Sequence, residues 1–83
     1  MYKITYSKEA IKDIENLKAS KLDTKAKQLI EIIRIDPYKL PYEKLVGDLK
    51  GLYSRRINIQ HRLVYKVDDI NKIICIIKMW NHY

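Results

Sequence analysis

The hydrophobic period of this chain changes at Gly51. Before it, apolar residues recur at helical spacing; after it, they alternate or run together in strand-length blocks. Ala10, Ile11, Ile14 and Leu17 mark one helical stripe, and Leu22, Ala26, Leu29 and Ile33, spaced 4, 3 and 4, mark a second. Ser7 is the expected N-cap of the first helix, with Glu9 complementing the dipole in its first turn, and the helix runs to about Ala19. Ser20, followed three residues later by Asp23, reads as a variant capping box that opens the second helix. Asp36-Pro37 ends that helix, because the residue before a proline is pushed out of the helical region. With almost no loop between them, the two should form an antiparallel hairpin.

The remaining segments read as strands. Residues 2–6 alternate and carry strand formers, residues 52–57 and 61–67 pair as a hairpin around Asn58-Ile59-Gln60, and Asp68-Asp69 turns the chain into a last strand over 72–80. The predicted order is β-α-α-β-β-β. This is an α+β fold: a mostly antiparallel sheet with two N-terminal helices packed on one face. Residues 38–50 form a polar connector punctuated by Pro41 and Gly47. A chain of 83 residues holds one such core, so residues 1–83 are expected to form a single domain.

Several function classes drop out. An apolar fraction of 47% argues against disorder. The longest apolar run, residues 73–77, is far short of the ~20 residues that a membrane helix needs. Lys3, Lys8 and Glu9 leave no hydrophobic stretch for a signal peptide, and Cys75 has no second cysteine to pair with. A cytoplasmic protein without membrane contact is expected. His61, His82 and Cys75 stand at no zinc spacing, and Cys75, set in Ile-Ile-Cys-Ile-Ile, reads as a buried thiol. There is no glycine-rich phosphate loop and no Gly-x-Ser-x-Gly elbow, so neither metal nor other cofactor is expected. The charge is informative: 17 Lys and Arg against 10 Asp and Glu give +7, an excess that favours polyanionic partners.

Three regions could carry chemistry. Arg55, Arg56 and Arg62 lie on adjacent predicted strands. Alternation separates Arg55 from Arg56 and puts Arg62 on the face opposite Leu63, Tyr65 and Val67. If those three fill the core, Arg62 projects from the open face, where its planar donors suit a phosphate. The C-terminal Trp80-Asn81-His82-Tyr83 offers an imidazole that exchanges protons near neutrality. Glu43 is an acid in a connector that also carries Lys39, Lys44 and Lys50. Singly, each has a plain reading as solvated charge or loose tail.

Together they resemble a family. Gly51-Leu-Tyr-Ser-Arg-Arg-Ile57, His61-Arg-Leu-Val-Tyr-Lys-Val67 and the final His82-Tyr83 are similar to the YoeB/Txe branch of the RelE-like toxins. The resemblance extends over essentially the whole chain, including Ser7-Lys8-Glu9 and Asp36-Pro37. It implies the toxin of a type II toxin–antitoxin system, a ribosome-dependent mRNA endonuclease that inhibits translation. The implied site is Glu43 as general base, His82 as general acid, Arg62 as phosphate clamp and Tyr83 against a base, with Arg55 and Arg56 along the RNA path. Attack by the 2′-hydroxyl would leave a 2′,3′-cyclic phosphate and a 5′-hydroxyl, without metal. Relatives often carry a lysine shortly after the acid; this chain has Val46 there, which leaves Lys44 or Lys50 to supply that RNA contact. The implied partners are mRNA in the ribosomal A site, the 70S ribosome, whose rRNA would meet Lys3, Lys8, Lys12 and Lys18, and an acidic YefM-like antitoxin; a homodimer stays open. The rival readings are a ParE-like gyrase inhibitor on the same fold and a plain RNA-binding domain.

Overall fold

A computed structural model describes residues 1–45 and 51–80. Its elements are β1 (Lys3–Tyr6), α1 (Lys8–Ala19), α2 (Asp23–Ile35), β2 (Glu43–Lys44), β3 (Leu52–Arg56), β4 (Arg62–Asp68) and β5 (Ile73–Lys78). The strands form one sheet in the order β1-β5-β4-β3-β2, with β1 parallel to β5 and every other pair antiparallel. The α+β reading holds, with one addition. The connector contributes the short edge strand β2, which is too brief for alternation to reveal. Gly51, at φ 95°, takes the left-handed turn into β3 that other residues rarely adopt.

Helix α1 begins as its sequence dictates. Ser7 Oγ accepts the Ala10 amide at 3.0 Å and donates to the Ile77 carbonyl at 2.6 Å, so one hydroxyl caps the helix and ties it to β5. The start of α2 differs from expectation. Ser20 closes α1 instead of opening α2, and Leu22 stands at the N-cap without a side-chain bond. Lys21, at φ 60°, occupies the left-handed position of a Schellman ending: the Lys21 amide meets the Lys18 carbonyl and the Leu22 amide meets that of Leu17. Glycine usually signals this ending, and none is present.

Both helices cover one sheet face. Ala10 and Leu17 from α1, and Ala26, Leu29 and Ile33 from α2, share a core with Leu63, Tyr65, Ile74 and Ile76. Each large apolar side chain buried there stabilises the fold by about 1.5–3 kcal/mol. The alternation in β4 is clean, since Leu63 and Tyr65 join this core while Val64, equally buried, does not.

The connector is held down by tyrosines. Tyr65 Oη donates to the Pro37 carbonyl at 2.7 Å beneath an edge-packed group of Tyr38, Tyr42 and Tyr53. Tyr38 and Tyr2 donate to the two carboxylate oxygens of Asp69, at 2.6 and 2.7 Å, joining the connector and the N-terminus to the β4–β5 turn. Those bonds, Tyr38's first, hold the Asp69 carboxyl below its ordinary range, while burial pushes the Tyr38 hydroxyl up. A depressed folded-state value means stability that is present above the unfolded value and lost as pH falls through the folded one. Asp69→Asn is therefore expected to melt at lower temperature than the parent at pH 7, with the gap closing below about pH 4. Thermal melts across that range check this; an unchanged gap at low pH would show that the ionised carboxylate is not the source.

Candidate active site

The consecutive arginines of β3 have opposite fates. Arg55 is only 4% exposed and lies on the core side, where its guanidinium donates to the Pro41 carbonyl at 3.0 Å and to the Lys39 carbonyl. Arg55, expected along an RNA path, here holds the connector backbone and lines the cavity beside Glu43. Two of its donors are held by connector backbone, while its Nε has no partner among the described residues. Arg56, one residue on, is exposed on the other face and stands opposite Arg62 in the β3–β4 register.

That other face gathers charge. Glu43 pairs with Ser54, Ser54 with Val64, and Arg56 with Arg62, so all five side chains share the sheet face away from the helices. Arg62 Nη1 lies 3.0 Å from Glu43 Oε2, in an ion pair whose arginine is 19% exposed and whose glutamate is 62% exposed. Because β3 lies between β2 and β4, this pair spans β3 on Ser54's side. Ser54 is fully buried, and its hydroxyl finds no hydrogen-bond partner among the described residues. Beside Glu43 opens a cavity of about 510 Å³, walled by Leu29 and Ile32 of α2, by Leu40 and Pro41, and by Ser54 and Arg56.

The other candidates divide. Lys44 pairs with Tyr53, a core-side residue, and so starts from the sheet face opposite that of Glu43. Lys50, His82 and Tyr83 lie outside the described residues, as does Val46. The approach to the terminus is described. His61 stacks on Trp80 with ring centroids 4.0 Å apart and donates from Nδ1 to the Trp80 carbonyl at 2.5 Å, while the Asp13 carboxylate accepts the Met79 amide at 2.8 Å. No group of three or more His, Cys, Asp and Glu side chains comes together as a metal site among the described residues. Two placements were missed in the sequence. Arg55 looked like its neighbour, and Ser54 drew no notice, although alternation already set it on the face of Arg56.

The chain and its fold have known relatives. A family model described as the YoeB-like toxin of bacterial type II toxin–antitoxin systems matches residues 6–83. This chain belongs to that family. Toxin YoeB of Streptomyces coelicolor is 46% identical over 57 residues, which are 65% of this chain and 67% of that one. Among solved structures, a YoeB/ParE toxin from Agrobacterium tumefaciens superposes with a TM-score of 0.89 at 28% identity, covering 98% of this chain and 99% of the other. A YoeB–YefM complex from Staphylococcus aureus gives 0.82 at 36% identity, covering 100% and 99%. The chain is thus a YoeB-like toxin of a type II toxin–antitoxin system, and the RelE-like fold expected from its motifs is the one observed.

A buried arginine bonded to two carbonyls predicts a structural cost on removal. Arg55→Met is expected to lose about 2–4 kcal/mol of stability, because the Lys39 and Pro41 carbonyls lose charged donors. Urea denaturation measures it, and an unchanged midpoint would show that Arg55 does not hold the connector.

Proposed function

We propose that this YoeB-like toxin is an endoribonuclease that cuts mRNA in the A site of the translating ribosome, in the cytoplasm. The observation that carries the reading is the Glu43–Arg62 ion pair, which brings an acid of the connector and an arginine of β4 to one face of the sheet. A carboxylate oxygen 3.0 Å from a guanidinium nitrogen stands in for a phosphate oxygen at the same donor. An ion pair this open to solvent is worth about 0.2–1 kcal/mol, whereas each hydrogen bond to a charged group can contribute ~1.5–3 kcal/mol. A phosphodiester that reaches Arg62 with two oxygens can therefore displace Glu43.

In the proposed reaction, the freed Glu43 takes the proton of the ribose 2′-hydroxyl as its oxygen attacks the adjacent phosphorus. Arg62, with Arg56 beside it, stabilises the charge gathered on the phosphorane. The P–O5′ bond breaks, and His82 gives its proton to the departing 5′-oxygen. The products are a 2′,3′-cyclic phosphate and a 5′-hydroxyl. Tyr83 holds a base by stacking, as aromatic rings do with unpaired RNA. A domain this small has little surface to bend a strand into line, and a ribosome that presents the codon supplies that orientation. The +7 chain would meet rRNA through phosphate contacts and weaken with salt. The same charge suits an acidic antitoxin. The relatives from S. aureus, solved as a YoeB–YefM complex and as a YoeB dimer, support both an antitoxin partner and a homodimer for this chain.

Arg62→Ala and His82→Ala are each expected to slow single-turnover cleavage on programmed ribosomes by at least ~10²-fold. Primer extension on the mRNA reads the cut. Full activity in both variants would remove the clamp and acid roles, and growth arrest that persists in His82→Ala without cleavage would favour gyrase inhibition.

A further inference from the structure

Ser54 is a buried hydroxyl in a place where an alanine would leave no polar group unsatisfied. It is fully buried and has no hydrogen-bond partner among the described residues, an arrangement that costs free energy unless a partner arrives. Its setting says which partner. Val64, on its β4 side, offers no acceptor, whereas on its β2 side it stands directly opposite Glu43. Side chains so paired have Cβ atoms about 5 Å apart, within reach of a serine oxygen and a glutamate oxygen. In the resting chain that carboxylate is bonded to Arg62 instead, across β3.

We infer that Ser54 is a positioning residue: its hydroxyl donates to the Glu43 carboxylate once a substrate phosphate has taken Arg62. The inference rests on the proposed role of Glu43 as base. Without a second donor, a carboxylate released from Arg62 would swing freely at the sheet edge, since it is already 62% exposed. With Ser54 beneath it, one oxygen is fixed and the other faces the 2′-hydroxyl. The exchange leaves neither charge unpaired: Arg62 passes from carboxylate to phosphate, and Glu43 passes from guanidinium to a hydroxyl that had no partner among the described residues before.

The test frees Glu43 without needing a substrate. In Arg62→Ala, the carboxylate has lost its guanidinium and should rest on Ser54. Adding Ser54→Ala to that variant should then raise the pKa of Glu43 by about half a unit to one unit, read by carbon-13 NMR titration of the side-chain carboxyl. Arg55 and Arg56 on β3, Lys25 on α2, and Lys39 and Lys44 beside Glu43 are common to both proteins and cancel. In the chain that retains Arg62, Ser54→Ala should leave the titration of Glu43 where it was and slow single-turnover cleavage by about 10-fold or more. An Arg62→Met background, which has no donor for the carboxylate, serves if the alanine variant does not fold. Superimposable titrations with and without Ser54 would overturn the inference. Full cleavage by Glu43→Gln would instead overturn the base assignment, a separate outcome that the titration does not depend on.

Discussion

The sheet edge of this protein depends on a charge placed under it. Arg55 is buried on the core side of β3 and donates from its two terminal nitrogens to the Lys39 and Pro41 carbonyls, in the stretch just before β2. A guanidinium removed from water needs partners, and a connector crossing a sheet leaves carbonyls that need donors. Each requirement meets the other. Tyr65, which holds the Pro37 carbonyl, and the packed rings of Tyr38, Tyr42 and Tyr53 extend the same fastening over the connector. With the connector fixed, β2 falls into register and Glu43 arrives opposite Ser54.

A period of two then divides the work between neighbours. Along β3, Arg55 faces the core and holds the backbone, while Ser54 and Arg56 face the other way toward Glu43 and Arg62. A slip of one residue would bury Arg56 and expose Arg55, losing the fastening and the charged face together. The positions of the two arginines are thus not interchangeable, although they are identical residues in adjacent places.

This division explains what could be read from the chain and what could not. The apolar spacing of α1 and α2, the hairpin around Asn58-Ile59-Gln60 and the open-face placement of Arg62 all follow from period, because burial acts on every turn or every second residue. The Schellman ending at Lys21 was hidden, since a lysine in the left-handed region gives no glycine signal. Strand β2 was hidden because a two-residue strand has no period; its existence depends on Arg55 and the tyrosines, contacts distant in sequence. The same distance concealed Arg55 itself. Alternation separated it from Arg56 but could not say that connector carbonyls would be waiting for it. The pairing of Glu43 with Arg62 came from resemblance to a family and not from spacing, for no local rule links a connector acid to a strand two positions across the sheet.

The resting ion pair bears on how such a site is kept quiet. An exposed arginine on a +7 chain would collect phosphates from any RNA that passed. With Glu43 across it, Arg62 already has an anion, and a stray phosphate must replace that anion before it gains anything. The barrier is small, about 1 kcal/mol or less for a pair this exposed, so it filters by orientation more than by strength. A phosphate that touches one donor in passing gains little over the carboxylate, whereas one held in line by a larger scaffold can take two in-plane donors of the guanidinium and displace it. On the proposed reading, the contact that silences the free toxin is the one that releases its base when a correctly presented strand arrives, and binding and activation become a single exchange at Arg62.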